Sequence, residues 1–174
     1  PQKELFARHV YDANIPLKAV VSTYGFHDLA DAHHFMQHPR AAKWVKEMLY
    51  DAAISYVGHD IDAAIRRSPL CSPLTVLERG FSPARAVPPF FVDVGTRDPL
   101  LRHSKRLKQA IDSIGGQCEL HVWPGEIHGY DAMVWRDAAR QKWRRVYAFL
   151  GEHLGVERKK PGDSVWPPAV TAVT

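Results

Sequence analysis

The sequence predicts an α/β fold with a parallel sheet, and three observations predict it. Short apolar runs that end at glycine-containing turns read as buried strands. Amphipathic stretches with apolar residues three and four apart read as helices. Strand and helix signals alternate along the second half of the chain, the order of a parallel sheet with helical crossovers.

The elements follow in order. Residues 1–12 (PQKELFARHVYD) read as the end of a helix. Lys18 to Ser22 (KAVVS) is a first buried strand, with Gly25 in the turn beyond it. From residue 27 to 87 the pattern is helical and irregular. Val45, Met48, Leu49, Ala52 and Tyr56 follow helical spacing, Gly58 is a stop, and the two prolines of Ser68 to Pro73 break the pattern. Pro88-Pro89 then leads into a second strand, Phe90 to Val94 (FFVDV), closed by Gly95. A helix follows with Leu107, Ala110, Ile111 and Ile114 on one face and Gly115-Gly116 as its stop. Cys118 to Trp123 (CELHVW) alternates as a third strand and ends at Pro124-Gly125. A last helix carries Ala139, Trp143, Val146, Leu150 and Leu154 along one stripe. The tail, 156–174, holds three prolines and little periodicity and reads as an extended appendage. Four segments result: 1–26, 27–87, 88–155 and 156–174.

Composition excludes several classes of function. Of the 174 residues, 45% are apolar and 24% charged, close to globular averages, so a disordered chain is not expected. No run approaches the roughly 18 apolar residues of a membrane span, and nothing at the start reads as a signal peptide. The net charge is +4. The densest basic run, Arg140, Lys142, Arg144 and Arg145, reads as a solvated helix face, and no nucleic-acid-binding module accompanies it. Two cysteines, Cys71 and Cys118, make no disulfide framework, and a reduced cytoplasmic pair is the expectation. His33, His34 and His38 carry two residues at helical spacing, but no close cysteine or acidic set completes a metal site. No metal and no organic cofactor is expected.

In a parallel sheet the functional groups collect on loops beyond the carboxyl ends of the strands. Two loops qualify, Gly95-Thr96-Arg97-Asp98-Pro99-Leu100 and Pro124-Gly125-Glu126-Ile127-His128-Gly129-Tyr130. An aspartate and a histidine on neighbouring loops can meet above the sheet. The carboxylate then fixes the imidazole tautomer and leaves the other ring nitrogen free as a general base. Asp98 and His128 are therefore the candidate catalytic residues. Asp93 competes as the acid but sits inside its strand. Glu126 and Asp131 flank His128 and are placed to tune it. Cys71 lacks the turn a nucleophile needs.

The order strand, Gly-x-x-Asp-Pro-Leu, amphipathic helix, Gly-Gly, strand, Pro-Gly-x-x-His-Gly-Tyr resembles the carboxyl-terminal part of the α/β-hydrolases, and within them the hormone-sensitive-lipase-like carboxylesterases. The likeness runs from Pro88 to Leu150 and includes Lys18 to Leu29 (KAVVSTYGFHDL) and Ser68 to Leu74 (SPLCSPL). It implies the carboxyl-terminal half of that fold: about three parallel strands, flanking helices and a helical cap-like insertion. It also implies that Asp98 is the triad acid and His128 the general base, in the family's order of nucleophile, acid, histidine. The Gly-x-Ser-x-Gly nucleophile turn and the His-Gly-Gly oxyanion loop of that family do not occur. Gly80-Phe81-Ser82-Pro83-Ala84 lacks the second glycine. The chain opens on Pro1, and the resemblance implies a start just downstream of the missing serine. In such esterases the insertion helps to cover the acyl pocket. Phe35, Met36, Trp44, Met48 and Tyr50 either line that pocket or pack the helices onto the sheet.

Two readings of function stay open. In one, the chain supplies the Asp and His of a serine esterase or lipase acting on a small-molecule ester. In the other it is a non-catalytic fragment or binding piece of a hydrolase fold; a peptidase of the same fold is a further alternative. With the nucleophile strand absent, the Lys18 to Ser22 edge is expected to be open, to be covered by the missing amino-terminal half, or to meet a second chain.

Overall fold

The structure is a computed structural model that describes residues 8–9, 12–37, 43–67, 72–79 and 87–155. Three parallel strands form one sheet in the order β1 (Val20–Thr23), β2 (Phe90–Gly95), β3 (Cys118–Trp123). Val20 pairs with Phe90 and Thr23 with Asp93; Phe90 pairs with Cys118 and Gly95 with Trp123. Among the described residues, four helices lie between β1 and β2: α1 (Leu29–Gln37), α2 (Lys43–Val57), α3 (Ile61–Arg67) and α4 (Pro73–Glu78). Helix α5 (Leu101–Ser113) joins β2 to β3, and α6 (Asp137–Leu154) follows β3 after a 3₁₀ turn, Tyr130–Ala132.

Strand alternation sends β2 side chains to both faces of the sheet, and a helix covers each face. Val92 packs with Leu107 and Ile111 of α5 and with Cys118. Phe91, its neighbour, packs with Val146 and Phe149 of α6. Each fully buried Ile, Leu, Val or Phe of this kind contributes roughly 1.5–3 kcal/mol. Helix α5 ends as its glycines dictate: Gly115 has φ +74°, and the Gly116 N–H closes on Ile111 O at 2.9 Å.

The insertion forms a second apolar cluster from Leu29, Met36, Val45, Leu49, Ala53, Ile61 and Leu100. Asp28 Oδ1 accepts the Ala30 and Asp31 N–H groups and so caps α1. Ser72 Oγ accepts the Leu29 N–H at 2.9 Å, tying α4 to the start of α1. Arg106 of α5 reaches Asp28 at 3.0 Å and Glu78 at 2.7 Å, which joins the insertion to the sheet layer.

Three expectations are corrected. The buried face of α2 is Val45, Leu49 and Ala53, one position from the predicted Ala52, and Tyr56 is exposed. The buried stripe of α6 is Ala139, Lys142, Val146 and Phe149; Trp143 and Leu154 lie outward. The basic run is accordingly not a wholly solvated face, because Lys142 points into the core between two carboxyl groups. Of the residues proposed to line a pocket, Met36 is buried, Phe35 and Met48 pack against the same cluster, and Trp44 and Tyr50 are exposed. Most of the helix read over 1–12, Cys71, Gly80 to Ala84, His38 and the tail at 156–174 lie outside the described residues. Among the described residues no group of three or more His, Cys, Asp or Glu is placed to hold a metal, and no helix is long and apolar enough to cross a membrane.

Candidate active site

The carboxyl ends of all three strands lead to one place: Tyr24 follows β1, Asp98 follows β2 and His128 follows β3. The loops after β2 and β3 are laced together by backbone and side-chain bonds. Thr96 N–H donates to Trp123 O at 2.9 Å, Arg97 N–H to Glu126 O at 2.9 Å, and Gly125 N–H to Thr96 Oγ1 at 2.8 Å. Arg136 pairs with the buried Glu126 carboxylate at 2.9 Å and closes the base of the loop that carries His128. Gly129, at φ +73°, turns the chain from His128 into the 3₁₀ helix, a conformation that favours glycine.

Within this frame Asp98 and His128 meet. His128 Nδ1 lies 3.1 Å from Asp98 Oδ2. The other carboxylate oxygen, Oδ1, accepts the Leu100 N–H at 2.7 Å. The Asp98 side chain is fully buried while that of His128 is 22% exposed, so the imidazole alone reaches the surface. With its Nδ1–H donated to the carboxylate, the ring presents Nε2 as the available base.

A buried charged cluster supports the histidine loop. Lys142 Nζ donates to Asp131 Oδ2 at 2.6 Å and lies 3.9 Å from Asp93 Oδ1. Tyr130 donates its hydroxyl to Asp93 Oδ2 at 2.6 Å, and Tyr24 donates its own to Asp131 Oδ1 at 2.7 Å. Burial pushes the Asp93 carboxyl above its ordinary range, against the pull of Tyr130 and Lys142. Burial would raise Asp131 as well, but the hydrogen bonds from Lys142 and Tyr24 hold it below the usual range. Burial and these carboxylates push both phenols well up, so Tyr24 and Tyr130 remain donors. Asp93, the competing acid, is thus engaged with Tyr130 and Lys142 beneath the site, while Asp98 is the carboxylate on His128.

Sequence reasoning missed Tyr24 and Lys142. The Tyr24 ring lies against the His128 imidazole with centroids 4.4 Å apart. A lysine at 142, three residues after Ala139 and four before Val146, stands in register with the apolar stripe of α6, and that spacing was the readable signal. Two other histidines are engaged elsewhere. His33 bonds Gln37, and His27 Nε2 lies 3.2 Å from Ser22 Oγ. Burial pushes the free thiol of Cys118 up to about 11. Among the described residues no serine hydroxyl lies within hydrogen-bond distance of His128.

The fold has counterparts among known proteins. An esterase from the bacterial hormone-sensitive lipase family superposes with a TM-score of 0.63 at 22% identity, over 84% of this chain and 48% of that one. EstE5, in a crystal soaked with ethyl alcohol, superposes with a TM-score of 0.60 at 19% identity, over 84% of this chain and 48% of that one. Esterase B from Lactobacillus Rhamnosis matches with a TM-score of 0.59 at 14% identity, over 86% and 45%. The chain spans about half the length of these structures, and at such identities the likeness establishes the fold. No curated protein sequence matches. The model of the family described as alpha/beta hydrolase fold matches residues 5–132, well over half of the 174, and the chain belongs to that family.

Proposed function

We propose that this chain supplies the acid and the general base of a serine carboxylic-ester hydrolase, with Asp98 as the acid and His128 as the base. The observation that carries the reading is the 3.1 Å contact between His128 Nδ1 and Asp98 Oδ2 at the carboxyl ends of adjacent parallel strands. That the similar structures are those of esterases supports the same reaction class.

In this reading a serine outside the described residues attacks the ester carbonyl. His128 Nε2 takes the serine proton, and Asp98 steadies the imidazolium through the Nδ1–H bond. The same proton is returned to the departing alcohol. Water, activated by His128 in turn, releases the acid. The chemistry calls for no metal or organic cofactor, and the substrate is a small-molecule ester. The helical insertion at 27–87 is assigned to the cap over the substrate. The open side of β1 is assigned to a strand from the amino-terminal half of the hydrolase or from a second chain.

The test uses the protein from its natural source, assayed with p-nitrophenyl esters and labelled with a fluorophosphonate. His128→Ala is expected to lower ester turnover by on the order of 10³-fold or more and to suppress labelling. Undiminished turnover in that variant overturns the assignment. Cleavage of peptide amides in preference to esters replaces it with the peptidase reading.

A further inference from the structure

Tyr24 is held in an uncommon way. Its backbone has φ +37°, in the left-handed region that a bulky non-glycine residue seldom enters. Such a conformation is strained and persists only where the surroundings impose it. Both ends of the residue are fastened. Its N–H donates to Asp93 O at 2.7 Å, and its hydroxyl donates to Asp131 Oδ1 at 2.7 Å. Gly25, the next residue, permits the tight turn that follows: a Cβ there would lie 2.3 Å from the His27 ring and 2.5 Å from Ser22 Oγ. Asp131 is itself fixed by the fully buried Lys142. Fastened in this way, the ring lies against His128, tilted by 55°.

We infer that Tyr24, anchored through Asp131 and Lys142, is a positioning residue that holds the His128 imidazole in the orientation that turns Nδ1 toward Asp98. The inference rests on the proposed general-base role of His128. The phenol is neutral and its hydroxyl is spent on Asp131, so its part is played by the ring. The ring, 4.4 Å from the imidazole between centroids, blocks its rotation away from Asp98. The buried ion pair behind it keeps the ring from following the histidine outward.

The tautomer of His128 tests this without any ester being turned over. Nitrogen NMR of the ¹⁵N-histidine-labelled chain, in alkaline solution, distinguishes Nδ1–H from Nε2–H imidazole. His121, which faces Glu119 and Arg145, serves as an internal reference. In the unaltered chain His128 is expected as the Nδ1–H form. Tyr24→Phe keeps the ring and frees it from Asp131. It is expected to raise the Nε2–H share of His128 about twofold, and Tyr24→Leu about tenfold, the span that an aromatic contact supports. His121 is expected to stay unchanged in both. An unaltered tautomer in Tyr24→Phe overturns the inference, even where Tyr24→Leu fails to fold. An Nε2–H tautomer in the unaltered chain overturns the Asp98–His128 assignment instead, so the two failures are told apart.

Discussion

The backbone of Gly95 runs directly beneath the Glu126 carbonyl: a Cβ placed on Gly95 would lie 2.1 Å from that oxygen. Glu126 O is also the acceptor for Arg97 N–H, so the same atom fastens the loop of Asp98 to the loop of His128. Gly95→Ala is therefore expected to push the two loops apart. The cost should be about 1–3 kcal/mol, the usual penalty for forcing a methyl into filled space. Urea unfolding measures it, and an unchanged midpoint would show that the loops yield freely.

Lys142 neutralises a pocket that holds two buried carboxyl groups. Lys142→Met preserves most of its volume and removes the charge. It leaves Asp131 without its ammonium and is expected to cost about 3–5 kcal/mol, the range for breaking one side of a buried pair. The double variant Lys142→Met, Asp131→Asn should recover part of that loss, because the uncompensated charge is removed as well. A single variant within about 1 kcal/mol of the parent would mean that water already reaches the cluster.

These two cases show what could be read from the residues alone. The loops of Asp98 and His128 were legible because glycine and proline mark strand ends, and because alternation of apolar residues outlines β3 from Cys118 to Trp123. Two local signals in parallel strands were enough to bring the pair together. The support behind them was not legible in the same way. Tyr24 meets Asp131 across 107 positions, and a tyrosine beyond a short strand has no spacing that announces a partner. Lys142 was hidden by its company, since a lysine between Arg140 and Arg144 looks solvated until its register with Ala139 and Val146 is weighed. The face of α2 shifted by one residue for a simpler reason. Its apolar residues nearly surround the helix, and packing against α1 chooses among them.

Acid should weaken the fold through His27. Burial, with a smaller contribution from the nearby His103 charge, lowers His27 from its ordinary 6.5 to about 4. Burial lowers His103 too; Arg106 and Arg102 act with it, and Asp31 and Asp28 oppose it. A histidine lowered in the fold binds its proton more readily once unfolded. Its contribution is whole above about 6.5 and is lost as the pH falls toward about 4. The His27 contribution between pH 7 and pH 4 is at most about 3 kcal/mol. Urea midpoints between pH 7 and pH 4 should fall accordingly, and His27→Gln should flatten the curve. A parent curve as flat as the variant's would refute the assignment.

The 174-residue chain by itself is expected to turn over p-nitrophenyl esters no faster than a free imidazole does. A histidine and an aspartate without a nucleophile or oxyanion donors offer only weak base catalysis. Rapid turnover abolished by His128→Ala, in protein purified as this chain alone, would require a nucleophile among its own serines or cysteines.

The open side of β1 leads to the last expectation. The strand bonds to β2 along one side only among the described residues, yet its four residues are half buried and Val21 packs against the Phe91 cluster. Among the described residues, the backbone groups on the free side are thus unpaired at the margin of an apolar core. Each such group, where water is excluded, costs about 1–3 kcal/mol. Pairing with another strand removes that cost, which is why exposed flat edges template association. The isolated chain should therefore grow in scattering mass as its concentration rises. Hydrogen exchange should show the β1 amides gaining protection over the same range, while those of β2, already flanked on both sides, change little. A constant monomer mass, with β1 amides exchanging at the same rate throughout, would mean that the edge is already satisfied within one chain.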